Sequence, residues 1–307
     1  MNAIMNAAGT WMWNNRTHGE LKWTTIETEH FNIHYHQNLD KIAIQGASIA
    51  EQIRPTLMKQ MGLESLPTLD IIFTAEDEVL NGFAVPANYT IIWVDQNDAA
   101  LWTGDEKWLR TVLAHELQHL VYFNTVKGPW WLPEPMNSLV HGTPAWIVEG
   151  IAEYFTEEWR PFRYELSHRY HVLRNTVHKI QDPHNDGYSK SLYLADRFGD
   201  STISKILNHR NKFKFLDFKE SFKKHTGITL KQFNEDWRRQ MNTFYFSQRS
   251  QKERLEDAGT IRKLPIKRVL SFDYFSDTSR VAMITRLSKG QYDLSLVVAT
   301  RDTVKEK

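Results

Sequence analysis

The stretch that decides the fold runs from Leu113 to Tyr122 and reads Leu-Ala-His-Glu-Leu-Gln-His-Leu-Val-Tyr. Its apolar residues, and those just before it, recur at steps of three and four, which predicts a helix with one buried face. On such a helix His115 and His119 lie about 6 Å apart along the axis and share a face, with Glu116 beside them. This H-E-x-x-H spacing indicates two zinc ligands and a general base.

A third ligand is needed if a zinc ion is to keep one coordination position open for water. The segment that begins at Pro144 reads PAWIVEGIAEYFTEEW and predicts a second amphipathic helix, on which Glu149 and Glu153 lie one turn apart. We expect Glu149 to be the third ligand. We expect Glu153 to accept the outer N–H of a ligating imidazole, that of His115, and to fix its tautomer. A solvated acidic helix face is the alternative for both carboxylates.

These two segments together resemble the gluzincin zinc metallopeptidases, the peptidase MA group that includes thermolysin and the zinc aminopeptidases. The resemblance rests on HELQH followed by WIVEGIAEY and covers Leu113 to Phe155. It implies a zincin-like domain, Zn²⁺ as the cofactor and a peptide or protein as the substrate. It also implies that Glu149 is the third ligand. Thermolysin has an Asp at the position of Glu153, which leaves the role of Glu153 open.

The resemblance implies two further sets of site residues. In the segment Asn81–Asp95, the backbone of Gly82, Phe83 and Ala84 would border the cleft and pair with an extended peptide. An ordinary edge strand is the alternative. In the segment DGYSKSLYLADRFGD, Tyr188 would hydrogen-bond the oxyanion, with His184 behind it. A buried core aromatic is the alternative for Tyr188.

The order of patterns along the chain predicts an α+β fold. Short strand patterns alternate with helical ones in the first half, beginning with His30–His36, whose histidines His30, His34 and His36 we expect on the solvent face. Helical patterns alone follow, and a short antiparallel β segment ends the chain. We divide the chain into an N-terminal extension (1–20), a lobe with the zinc site (21–159), a helical lobe (160–248), a linker (249–264) and a β-meander (265–307).

The β-meander consists of three alternating runs and resembles the first part of a Tol-type β-propeller. A single blade cannot close a propeller or protect its edges. We therefore favour a propeller that continues in a longer chain over a small sheet that docks on the helical lobe.

The connection between the two site helices, from Asn124 to Thr143, contains Trp130 and Trp131. A connection of this length inside a compact domain is often functional. Its tryptophans could line a substrate subsite or touch a partner domain. Packing beneath the loop is the alternative that we favour slightly.

Charge and composition limit the other function classes. Up to Trp159 there are 8 Lys and Arg against 20 Asp and Glu, which leaves 30 against 17 of the totals of 38 and 37. The basic residues are spread over several helices, so we expect two lobes that attract each other and no nucleic-acid surface. There is no cysteine, and no apolar run is long enough to span a membrane. No signal peptide is visible, although the resemblance suggests a periplasmic or secreted protein.

Two functions follow from the sequence. The first is a zinc-dependent peptidase, with an endopeptidase favoured because no acidic motif for anchoring a peptide N-terminus is present. The alternative is a non-catalytic protein that keeps zinc for structure and interacts through a C-terminal propeller. Glu116 argues against the alternative, since a structural zinc site needs no general base.

Overall fold

The computed structural model describes residues 19–75, 81–94, 105–156, 162–177, 183–254, 257, 268–276, 280–286 and 294–300. The chain divides into two compact units, Met1–Phe246 and Ser247–Lys307. The expected N-terminal extension lies outside the described residues except for its last two positions, and so does most of the expected linker.

The first unit contains a five-stranded mixed sheet with the order β1-β2-β3-β5-β4. Its strands are β1 (Trp23–Glu27), β2 (Phe31–His36), β3 (Leu69–Thr74), β4 (Asn81–Val85) and β5 (Tyr89–Trp93). The three central strands are parallel, whereas β1 and β4 run antiparallel to their neighbours at the two edges.

Nine helices are described in this unit, the last of which extends past its end. They are α1 (Asp40–Met61), α2 (Asp105–Val126), α3 (Glu134–His141), α4 (Ala145–Thr156), α5 (Phe162–Leu173), α6 (Pro183–Phe198), α7 (Ser201–Asn208), α8 (Phe218–Thr226) and α9 (Leu230–Ser250). Helices α1 and α2 pack against each other and, with one face of the sheet, enclose the main apolar core. The expected α+β fold is confirmed.

The second face of the sheet is also buried, which makes the expected exposure of the β2 histidines wrong. His34 and His36 are each 2% exposed, beside an apolar cluster of Ile72, Ile91 and Trp93. His34 contacts Thr25 Oγ1 at 2.8 Å and Asp70 Oδ1 at 3.1 Å, and His36 Nε2 accepts the amide of Ala75. An alternating pattern shows that a strand has two different faces, but polar residues that find partners can be buried on either one.

The second unit contains the predicted short antiparallel segment. Its strands β6 (Arg268–Tyr274), β7 (Arg280–Arg286) and β8 (Ser295–Thr300) form one sheet in the order β6-β7-β8. The propeller stays a prediction. Within the residues that the structure describes, no helix combines the length and the apolarity needed to cross a membrane.

Candidate metal centre

Helix α2 positions the first two candidate ligands. Its apolar side chains, including Leu113, Leu117 and Leu120, are almost completely buried in the main core. Anchoring this face fixes the rotation of the helix, and His115 and His119 then emerge on the same side. Their Nε2 atoms lie 3.2 Å apart.

Helix α4 brings Glu149 to the two histidines. Ile147 and Ile151 are fully buried, and the ring of Trp146 stacks on Phe233. Glu149 Oε2 consequently lies 3.6 Å from His115 Nε2 and 3.3 Å from His119 Nε2. This oxygen is shielded from solvent and has no well-formed hydrogen bond among the described residues.

The three donor atoms fit a zinc ion. Donors arranged tetrahedrally at the usual zinc–nitrogen and zinc–oxygen distances lie about 3.3–3.6 Å from one another. The observed separations of 3.2, 3.3 and 3.6 Å agree with this spacing. Two imidazoles and one carboxylate are also a donor set that zinc binds readily.

Helix α6 adds His184, which the sequence had placed only behind Tyr188. His184 Nδ1 lies 3.4 Å from Glu149 Oε2 and 2.9 Å from Glu153 Oε1. Its ring stacks on that of His115, with the ring centroids 5.8 Å apart. His115, Glu149 and His184 therefore form a second group that could hold a metal ion, with ligand atoms all within 4.8 Å of one another.

A contact between two glycines brings α4 and α6 together. A β-carbon on Gly150 would lie 2.4 Å from the carbonyl oxygen of Gly187, and one on Gly187 would lie 2.2 Å from that of Trp146. The two helix backbones therefore touch at a point where no side chain fits. This crossing places His184, at the start of α6, against Glu149 and Glu153 of α4.

The charges of the centre are strongly coupled. Burial works to raise the pKa of Glu149, but the contacts with His115 and His119 and the nearby charge of His184 outweigh it, and the pKa falls well below its usual range. Burial works to lower the pKa of His115, but Glu149, Glu116 and Glu153 outweigh it, and the pKa rises. The centre thus attracts positive charge, as a cation site must.

Glu116 lies beside these ligands as a buried carboxylate. Burial raises its pKa, although the two neighbouring histidines oppose the shift. Strand β4 covers it: a β-carbon on Gly82 would lie only 2.4 Å from Glu116 Cγ. Glycine at this position lets the backbone of β4 approach the carboxylate closely.

The remaining predicted residues lie at three places. Among the described strands, β4 pairs only with β5, so Gly82, Phe83 and Ala84 are on an edge strand, with Phe83 partly exposed and Ala84 against the core. Glu153 is fully buried and hydrogen-bonds His184. The hydrogen bond to His115 that we expected stays a prediction. Tyr188 is buried on α6, one turn after His184.

Two features of the site were not predicted from the sequence. One is the position of His184 next to Glu149. The available signal was that His184 lies four residues before Tyr188 and therefore shares a helix face with it. The other is the glycine contact between α4 and α6. Glycines in helix interiors, which cost stability unless another backbone approaches, were the signal for it.

Comparison with known proteins finds similarity to solved structures. No protein-family model matches the chain, and no curated protein matches it by sequence. Among solved structures, an aminopeptidase N family protein from Idiomarina loihiensis matches with a TM-score of 0.43 and 13% sequence identity. The match covers 71% of this chain and 46% of that protein, so the chain spans less than half the length of this neighbour.

Proposed function

We propose that the protein is a zinc-dependent peptidase, with His115, His119 and Glu149 as the ligands. The observation that carries the proposal is the convergence of these three donor atoms, 3.2 to 3.6 Å apart, beside the buried carboxylate of Glu116. A bound zinc ion lowers the pKa of a water molecule toward neutrality and acts as a Lewis acid. A purely structural site would have no use for Glu116.

The chain's own residues supply the remaining chemistry. Glu116 accepts a proton from the attacking water and transfers it to the amine that leaves. A raised pKa makes the Glu116 carboxylate a stronger base, so it accepts the proton from water more readily. The protonated carboxyl is then the acid that donates this proton to the amine. Among the described strands, β4 has no partner on its outer edge, and this edge beside Glu116 supports binding of an extended peptide by backbone pairing. The sequence has no acidic motif for anchoring a peptide N-terminus, which favours an endopeptidase.

The residue that hydrogen-bonds the oxyanion lies on α6. Of the two candidates, His184 is the more accessible and lies directly beside Glu149, whereas the Tyr188 side chain is buried. We therefore propose His184 for this role and keep Tyr188 as the alternative. Glu153 holds the His184 ring through the hydrogen bond to Nδ1.

Substitution Glu116→Gln tests the proposal. We expect one zinc per chain by elemental analysis in both the wild type and the variant. Cleavage of an unfolded protein should fall by at least about a hundredfold in the variant, the scale of general-base catalysis. Equal cleavage by both proteins contradicts the role of Glu116. Bound zinc without cleavage by either protein supports the non-catalytic alternative.

A further inference from the structure

Helix α3 buries polar side chains and exposes apolar ones, which is the reverse of the usual arrangement. Its polar residues Asn137 and His141 point inward and are buried, whereas Met136, Leu139 and Val140 are exposed. Asn137 Nδ2 donates a hydrogen bond of 3.1 Å to the carbonyl oxygen of Val126 at the end of α2, and His141 Nδ1 accepts one from the amide of Thr143. Polar contacts thus fix α3 to the protein with its apolar face outward.

The turn before α3 extends this apolar face. Trp130 is 97% exposed and Trp131 is 52% exposed, while Leu139 on the helix is 84% exposed. The turn is held next to α3, because a β-carbon on Gly128 would lie 2.5 Å from Asn137 Oδ1. We call the exposed side chains of this connection the α3 surface; they are Trp130, Trp131, Met136, Leu139 and Val140. Large exposed apolar side chains concentrated on one segment in this way indicate a binding site.

Residues of α2 and β4 form a path that begins at the metal centre and ends at the α3 surface. We call this path the track. On α2 the ring of His119 stacks on that of Phe123, one turn further along. Strand β4 and the turn after it follow the same part of α2: Gly82 lies against Glu116, and Asn88 accepts a hydrogen bond of 2.9 Å from Asn124. The outer edge of β4, which pairs with no other strand that the structure describes, therefore leads from Glu116 toward the end of α2, where the connection with Trp130 starts.

The length of this track sets the size of its occupant. From Glu116 to Val126 the rise of α2 is about 15 Å. An extended peptide covers this distance in about five residues. We propose that the α3 surface binds apolar side chains of an extended polypeptide, about five residues from the bond that is cleaved. This inference rests on the proposed peptidase function and adds a class of substrate, unfolded chains with apolar residues at a distance from the cleavage point.

Charge and area favour this occupant over two others. The segment from Gly128 to Gly142 contains one acidic residue, Glu134, and no Lys or Arg, whereas binding to anionic lipid depends on basic residues. A stable dimer needs about 800 Å² from each partner. The five side chains of the α3 surface offer on the order of 600 Å², given the usual areas of large apolar side chains.

Peptide binding without cleavage tests the inference. Three zinc-loaded proteins are compared, and all of them carry Glu116→Gln. The first has no other substitution, and the second also has Trp130→Ser and Leu139→Ser. The third, the control, also has Ile44→Ser, which changes a similarly exposed residue on α1. The two fluorescent peptides share a central sequence and carry either Leu or Ser four to six residues from the centre on both sides. We expect the Leu peptide to bind the double α3 substitution at least about tenfold more weakly, with no change for the Ser peptide or the control.

The outcomes separate this inference from the proposed function. Equal affinity of the Leu peptide for all three proteins overturns the inference, even if the wild type cleaves it. The expected loss of affinity supports the α3 surface as a peptide site, even if the wild type cleaves nothing and the peptidase function fails. A third outcome is that the double substitution leaves peptide affinity unchanged but abolishes binding to phosphatidylcholine vesicles or self-association. This outcome overturns the inference and indicates a membrane or a second copy as the occupant.

Discussion

At the scale of one residue, the proposed catalytic role of Glu116 lowers the stability of the folded protein. A carboxylate whose pKa is raised by burial destabilises the folded protein whenever it is ionised. Its cost is absent below the pKa of the unfolded chain, near the ordinary value of 4.5, and complete above the raised pKa of the folded state. The free energy of unfolding therefore falls as pH rises between these two values.

We predict that Glu116→Gln stabilises the metal-free protein at neutral pH. The advantage should shrink as pH falls and disappear below pH 4.5, as the wild-type carboxyl becomes protonated in the unfolded state as well as in the folded one. Urea unfolding of both proteins in EDTA, at a series of pH values, measures the difference. A stabilisation that is the same at every pH would show that titration of Glu116 is not its cause.

Gly82→Ala tests the contact between β4 and Glu116. The added methyl group would lie 2.4 Å from Glu116 Cγ, so the Glu116 side chain or the backbone of β4 must shift. We expect peptidase activity to fall by about tenfold or more, since small displacements of a catalytic group have large effects. Zinc content should not change. Gly19→Ala is the control, because none of the described residues other than its chain neighbours comes within 4 Å of a β-carbon there. Full activity of Gly82→Ala would show that the contact has no catalytic importance.

Part of the site could be predicted residue by residue because the signal is local. The i, i+4 spacing of His115 and His119 on an amphipathic helix determines where their side chains meet. The position of Glu149 next to the two histidines depends on a second helix. It was predicted from the pattern of residues in that helix. The partner of Glu153 could not be predicted, because it depends on where α6, some thirty residues later, crosses α4.

At the scale of elements, the crossing of α4 and α6 determines the geometry around Glu149. Close approach of two helix backbones requires residues without a side chain, and both Gly150 and Gly187 meet backbone atoms of the opposite helix. The apolar face of α4 packs into the core at the same time. The sequence predicted α4 from its periodicity, and it predicted α6 from Gly187 and Gly199, expected before and after the helix, and from the family resemblance. The structure places Gly187 inside α6, and neither signal carries information about which helices touch.

Gly187→Ala should separate these helices. A β-carbon 2.2 Å from the carbonyl oxygen of Trp146 cannot be accommodated by a side-chain rotation, so α6 must shift. We expect a loss of about 1–3 kcal/mol in the free energy of unfolding, the usual cost of overpacking. Chemical denaturation measures it, with Gly19→Ala as the reference for a glycine in open space. Wild-type stability of Gly187→Ala would contradict the close crossing.

Two elements differ from the sequence prediction for the same physical reason. Trp130 and Trp131 are exposed, so packing beneath the loop, the alternative that we favoured slightly, is wrong. The β2 histidines are buried, although their pattern indicated a solvent face. In both cases the pattern shows which residues share a face, whereas the exposure of that face depends on neighbours distant in sequence.

At the scale of the whole molecule, the fold class was predictable because it follows from the order of strands and helices. The proposed metal site joins α2 and α4 and would therefore couple zinc binding to folding. A ligand that binds only the folded state stabilises it by about 4 kcal/mol when its concentration is a thousandfold above Kd. Zinc should therefore raise the unfolding temperature of the wild type, and EDTA should reverse the change.

We propose that His119, together with His115 and Glu149, binds the ion, while His184 contacts Glu149 and Glu153 without binding the ion. Zinc titration by calorimetry of His119→Ala and His184→Ala distinguishes the two histidines most directly. Loss of an outer residue typically costs about 10–100-fold in affinity, and loss of a ligand should cost more. We predict that His119→Ala exceeds this range and that His184→Ala stays within it. The reverse order would contradict the proposed ligand set.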